Sequence, residues 1–218
     1  MDGLERNVEE IRAEFEAKSA VRDAALQRSR TLIRHCANSI RATHRGDFAE
    51  AQAILEVAGQ AAREMTVDLH AYRDLYHAGY TQDALKEYVE ARLVFAFVTD
   101  GDLPDRAELG VEPPAFLKGM AEAASEMRRH ALDLMRQNKL ERAEEMLSLM
   151  DDVYSQLITV DFPDAITGGL RRTTDMLRGV VQRTRGDVTT AFRQEMMRQA
   201  LRDFEERMGM ENGAIAEV

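Results

Sequence analysis

Residues 85–98 read Leu-Lys-Glu-Tyr-Val-Glu-Ala-Arg-Leu-Val-Phe-Ala-Phe-Val, and their reading decides the fold. After Arg92 the run is apolar almost all round, and a helix of that kind is buried. Two carboxylates interrupt it. Glu87 and Glu90 are one turn apart and share a face, and the same line continues into Val94 and Phe97, which are core-type residues. Like charges beside a core face repel and lose hydration unless something compensates. A divalent cation would do so, since Mg²⁺ takes carboxylate oxygens and retains waters. A solvated first turn with Lys86 and Arg92 nearby would do so too. Residue chemistry by itself favours the second arrangement.

Outward from this segment the spacing predicts an all-α bundle of about seven helices. A long first helix runs from Leu4 to Arg45, with the stripe Val8, Ile11, Phe15, Val21, Ala25, Leu32, Cys36 and Ile40. Gly46 ends it and Asp47 caps a second, Phe48 to His77. Gly79 breaks that one, and the third runs from Thr81 to Thr99. A loop from Asp100 to Pro114 follows, and its shortness favours antiparallel packing of the helices on either side. The fourth runs from Ala115 to Gln137 and the fifth from Leu140 to Thr159. Asp161 caps a sixth, with Pro163 in its first turn. It ends near Gly186, where Asp187 caps a seventh reaching Met208. Gly168-Gly169 lies inside the sixth as a close-packing pair. One domain is expected over 1–208, with a frayed tail over 209–218.

Composition agrees. The 218 residues hold only 4 Pro, and 44% are hydrophobic, enough for a real core. Ala, Leu, Met, Glu and Arg, which favour helix, dominate. No segment approaches the roughly 18 apolar residues of a membrane span, and the acidic N-terminus lacks the apolar core of a signal peptide. Cys36, the 1 cysteine, excludes an intrachain disulfide and fits a reducing cytosol, so a cytoplasmic protein is expected. On its apolar stripe Cys36 reads as a buried, inert thiol. The net charge of −10 argues by itself against a nucleic-acid partner, but local charge decides that question. The basic residues are nearly all Arg, and an acidic, Lys-poor surface is one way to stay soluble at high salt.

Other chemistry-bearing positions are fewer. Glu122 and Glu126 are one turn apart on the fourth helix and flank its stripe of Phe116, Met120, Ala124, Met127, Ala131 and Leu134. Lys118, Arg129 and His130 could pair with them, and a solvated flank is the simpler reading. Arg171, Arg178 and Arg185 recur every seven residues beside the stripe Ile166, Leu170, Thr173, Leu177, Val180 and Thr184. Such a row can meet phosphates or pair with acidic neighbours. Arg73 and His77 stand among His70, Tyr72, Tyr76 and Tyr80, a mixture that suits unstacked bases and is equally ordinary at helix ends. No Glu-x-x-His pair, phosphate-binding glycine loop, His-Glu-x-x-His or Cys-x-x-Cys occurs, which disfavours ferritin-type di-iron, nucleotide and zinc chemistry.

Glu87-Tyr88-Val89-Glu90-Ala91 resembles the Glu-Tyr-Val-Glu-Ala motif of the translin family's associated-factor branch. Phe116-Leu117-Lys118-Gly119-Met120-Ala121-Glu122, followed by Glu126-Met127-Arg128-Arg129, is similar to that family's next motif. Val153-Tyr154, Asp161-Phe162-Pro163, Leu170-Arg171-Arg172, Asp175 and Thr184-Arg185-Gly186-Asp187 resemble later positions, the last ones in archaeal-type members. The likeness spans residues 20–190. It implies the translin fold and a closed homo-oligomeric shell, usually an octamer, that encloses RNA. In the associated-factor branch it implies interior carboxylates that bind Mg²⁺, with Mn²⁺ able to substitute, and cut RNA. The matching positions are Glu87, Glu90, Glu122 and Glu126, as metal ligands and catalytic residues. The expected substrate is single-stranded or flexible RNA, or single-stranded DNA for a non-catalytic shell. Arg73, His77, Arg129, Arg171, Arg178 and Arg185 are the candidates for contacting it. Glu122 departs from the family's Asp by one methylene. Thr81-Gln82-Asp83-Ala84-Leu85 departs from translin's basic segment, so nucleic-acid contacts must come from elsewhere.

Overall fold

The structure is a computed structural model that describes residues 2–208. The expected tail, 209–218, lies outside the described residues. Among those residues there are helices and no strand: α1 (Asp2–Arg45), α2 (Phe48–Asp68), α3 (Arg73–Tyr76), α4 (Gly79–Thr99), α5 (Arg106–Leu109), α6 (Pro113–Arg136), α7 (Leu140–Leu157), α8 (Asp164–Thr167) and α9 (Leu170–Arg207). Six are long and three, α3, α5 and α8, are single turns of 4 residues. The all-α expectation holds, with different joints.

The second predicted helix breaks after Asp68. Leu69 and Leu75 are both buried, yet six residues apart on one helix they would point about 120° away from each other. The turn over Leu69–Tyr72 lets both reach the core. Asp47 stands at the N-cap of α2 but makes no capping bond; it pairs with Arg45 at 2.9 Å instead. Gly168 and Gly169 do not lie inside a helix. Both have positive φ, 61° and 83°, a conformation glycine adopts without steric cost, and they separate α8 from α9. At Gly186 the reverse occurs, and α9 runs straight through. A glycine inside a helix costs about 1 kcal/mol, and the buried line Thr174, Leu177, Val181, Thr184, Val188 on either side of it outweighs that.

Packing is centred on α6, which touches α4, α7 and α9. Its buried positions are mainly small, Ala115, Gly119, Ala121, Ala123, Ala124 and Ala131, so three helices can approach one axis. The antiparallel expectation for α4 and α6 fails. Gly119 lies beside Lys86 near the two N-terminal halves. At the far ends Asp100, just past α4, binds Arg142 in the first turn of α7, just past α6. The two helices therefore run parallel. The connection, with one-turn α5 and the buried Leu109 and Val111, carries the chain back along the bundle. Asp105 caps α5 by accepting from the N–H of Ala107 at 2.6 Å, and Gly110 ends it in the left-handed conformation.

Two helices outrun the bundle. The buried positions of α1 begin at Ala25, and Leu4, Val8, Ile11 and Phe15, read from the sequence as the start of its stripe, are exposed. The buried positions of α9 stop at Val188, leaving Met196, Met197, Leu201 and Phe204 exposed. Ile166, assigned to the sixth helical stripe, is also exposed. No described helix is long and apolar enough to cross a membrane.

Candidate functional site

The parallel run of α4 beside α6 sets the site. Glu87 and Glu90 leave α4 toward α6, Glu122 leaves α6 toward α4, and Glu126 leaves α6 toward His44 of α1. One carboxylate oxygen each from Glu87, Glu90 and Glu122 lies within 4.8 Å of the others. An octahedral ion with oxygens at 2.0–2.1 Å would need about 3 Å between neighbouring oxygens and about 4 Å between opposite ones. Separations near that bound would have to close by small side-chain rotations, and the all-oxygen donor set suits Mg²⁺ or Mn²⁺ rather than zinc.

Electrostatics mark the same place. Glu90 is pushed up to about 8, first by burial, then by the negative charges of Glu87 and Glu122. Lys86 answers part of that charge: its ammonium lies 2.5 Å from Glu122 and 3.1 Å from Glu87, with its side chain only 14% exposed. Burial works against the ammonium, but the bonds and charges of Glu122 and Glu87 outweigh it and hold Lys86 above its ordinary range. One ammonium thus faces three clustered carboxylates. Glu90 itself forms no hydrogen bond or ion pair among the described residues.

Glu126 stands one turn further along α6 and outside the three-carboxylate group. Its Oε1 is 2.8 Å from Nε2 of His44, in the last turn of α1, and 3.8 Å from Arg129. His130 is held below the usual histidine range by burial, with His44 and Arg142 adding to the effect; the His44 and His130 rings are 6.2 Å apart. Behind α4, Cys36 is buried, and its thiol is pushed up by burial and by Glu87 and Glu90, which makes it inert as expected.

The candidate nucleic-acid contacts are spread out. Arg129 is exposed beside Glu126. Arg73 and His77 are exposed at the α3 end of the bundle, where the His77 ring meets Tyr76 edge-on. On α9, Arg185 bonds Asp151 of α7, Arg178 lies 4.0 Å from Asp175, and Arg171 lines a cleft of about 660 Å³ between α7 and α9 together with Asp161, Asp164 and Asp175. The structure brings Arg129 beside Glu126, at the edge of the carboxylate group, and leaves the others elsewhere. His44 went unread in the sequence, and Arg128 entered only inside the motif Glu126-Met127-Arg128-Arg129, with no role of its own. His44 continues the line Leu32, Cys36, Ile40 by one more step of four, which was the available signal. Arg128 pairs with Asp187 at 2.7 Å and donates to Thr184 at 3.2 Å, tying α6 to α9; nothing in the local sequence marks it.

A helical bundle with facing glutamates on two adjacent parallel helices, α4 and α6, fits a translin-like protein, and the solved structures agree. The chain is 32% identical to AfC3PO in its complex with duplex RNA, over 87% of this chain and 98% of that one, with a TM-score of 0.76. AfC3PO without RNA gives 31% identity over 87% and 99%, again at 0.76. Apo-NeC3PO, 20% identical over 85% and 97% with a TM-score of 0.77, shares the fold. An uncharacterized protein of Methanocaldococcus jannaschii is 28% identical over 187 residues, 85% of this chain and 82% of that relative. No family model matches. The chain belongs to the C3PO/translin family.

Proposed function

We propose that this protein is a cytoplasmic RNA-binding, Mg²⁺-dependent endoribonuclease that works inside a homo-oligomeric shell of octamer type. The observation that carries the reading is the convergence of Glu87, Glu90 and Glu122 on one point, where one lysine offsets part of their charge. Each would offer one oxygen to the ion, with Glu126 at the rim. Bound there, Mg²⁺ or Mn²⁺ would acidify a water and neutralise charge developing on the scissile phosphate. Arg129, exposed beside Glu126, would hold a phosphodiester near the cluster. The exposed apolar residues of α1 and α9 supply contact surface for a shell. The RNA complex of AfC3PO supports RNA as the ligand. Because that RNA is duplex, the substrate reading of single-stranded or flexible RNA needs both forms in its test.

A non-catalytic RNA- or DNA-binding shell is the second reading. Lys86 favours it, because an ammonium already bridges Glu87 and Glu122, and the longer Glu122 reaches it. Incubation of labelled single-stranded and duplex RNA with the protein, in Mg²⁺ or in chelator, separates the two. Cleavage is expected in Mg²⁺ only. Glu90→Gln is expected to abolish it while RNA binding survives, and Glu126→Gln to have a smaller effect. A wild type that cuts nothing in Mg²⁺ or Mn²⁺ leaves the binding shell as the answer.

A further inference from the structure

We infer that His44 is a positioning residue for the carboxylate site, donating from the buried end of α1 to Oε1 of Glu126 and so leaving Oε2 of that carboxylate for the cation. The inference rests on the Mg²⁺ reading above. The His44 side chain is 2% exposed, and its Nε2 lies 2.8 Å from Glu126 Oε1. An ionised carboxylate only accepts, so Nε2 carries the proton. The other ring nitrogen, Nδ1, is buried with no hydrogen-bond partner. A buried polar atom left unpaired is a cost, and a leucine would fill this position without it. What the imidazole supplies in return is the bond to Glu126.

That bond matters because of where Glu126 stands. It flanks α6 rather than facing the core, and among the described residues its one ion-pair partner besides the His44 bond is Arg129, 3.8 Å away and exposed. Released from His44, the carboxylate is free to follow Arg129 toward solvent. Held by His44, it stays on the face of α6 that carries Glu122, one turn beyond it. The arrangement inverts the common one, in which a carboxylate orients a ligating histidine; here a histidine orients a ligating carboxylate. Because His44 comes from α1, it makes the site a three-helix construction, with α1 setting the reach of a side chain on α6.

Mn²⁺ titration followed by electron paramagnetic resonance on the full chain tests this. The set is wild type, His44→Leu, His44→Gln, Glu126→Gln and the double variant His44→Leu/Glu126→Gln, with thermal melts alongside. His44→Leu is expected to fold and to weaken Mn²⁺ binding about 10-fold, as loss of an orienting partner does. His44→Gln, whose amide can donate to the same oxygen, is expected to restore wild-type affinity. The double variant is expected to bind no more weakly than Glu126→Gln, because His44 acts through that residue. If wild type binds Mn²⁺ and His44→Leu binds it equally well, the inference is overturned while the metal reading stands. Equal losses in His44→Leu and His44→Gln overturn it as well, since they point to packing alone. If wild type binds no Mn²⁺, the metal reading falls and takes this inference with it.

Discussion

A β-carbon added to Gly119 would lie 2.7 Å from the carbonyl oxygen of Lys86. The two helices therefore meet nearly backbone to backbone, at the turn where Lys86, Glu87 and Glu122 gather. Gly119→Ala must push α6 away from α4. Alanine gains about 1 kcal/mol of helix propensity, but overpacking of this kind costs about 1–3 kcal/mol, and the obstruction here is backbone and the β-branched Val89. A net loss of stability is expected, seen as a lower urea midpoint at unchanged slope, together with weaker Mn²⁺ binding.

Lys86 and a metal ion would compete for the same oxygens. Lys86→Met is expected to lower the melting temperature of the metal-free protein, because it leaves half-buried carboxylates without their cation. It is expected to enlarge the rise in melting temperature that saturating Mg²⁺ produces, since ligand stabilisation grows with affinity. Melts of both proteins with Mg²⁺ and with chelator decide it; an unchanged response to Mg²⁺ in the variant would show that the ammonium and the ion do not compete.

Glu90 links the metal-free protein to pH. Its carboxyl is raised from 4.5 to about 8 in the fold, so the folded state holds this proton more tightly than the unfolded state. Where the folded state binds more protons, stability falls as pH rises. The contribution is full below the unfolded value and is lost as pH climbs through about 8. Urea unfolding in chelator, across that window, should show wild type losing stability relative to Glu90→Gln as pH increases. A difference that stays flat, or grows the other way, would mean that Glu90 is ionised in the fold.

The arginines of α9 should not contribute equally to RNA binding. Arg185 is bonded to Asp151 and Arg178 stands near Asp175, whereas Arg171 makes no ion pair among the described residues. Binding to phosphates releases counterions and weakens with salt. Arg171→Ala is expected to weaken RNA binding and to reduce the slope of log affinity against log salt by about 1. Arg185→Ala is expected to change the slope less. Filter binding at several salt concentrations measures both, and identical slopes in all three proteins would assign these residues to structural pairing.

Assembly has its own test. Leu4, Val8, Ile11 and Phe15 on α1, and Met197, Leu201 and Phe204 on α9, lie exposed beyond the bundle. Light scattering is expected to give a mass well above the 24.6 kDa of one chain, and Phe204→Glu to reduce it. A monomer mass for wild type would remove the enclosed-site mechanism.

The apolar run after Arg92 identified a buried helix directly, because Leu93, Val94, Ala96 and Phe97 are all buried and no other environment suits so many apolar residues in succession. The four glutamates were legible as two one-turn pairs for an equally local reason: spacing along a helix fixes which side chains share a face. Where helices end was less legible. Gly186-Asp187 looks like a boundary locally, but packing of α9 on α6 and α7 carries the helix through, while the break after Asp68 has no glycine or proline to announce it.

The helical class, the buried α4 and the two one-turn glutamate pairs were thus set by the sequence, since all of them follow from properties within a few residues along the chain; that Glu122 joins Glu87 and Glu90 was not. Only the tertiary structure decided that α4 and α6 run parallel, that Lys86 sits among the carboxylates, and that His44 of α1 reaches Glu126 of α6, 82 positions away. Those facts depend on the direction in which a connecting segment returns and on how closely Gly119 lets two helices approach. Neither quantity is expressed in any local spacing; both are set by which surfaces bury the most when the whole chain packs.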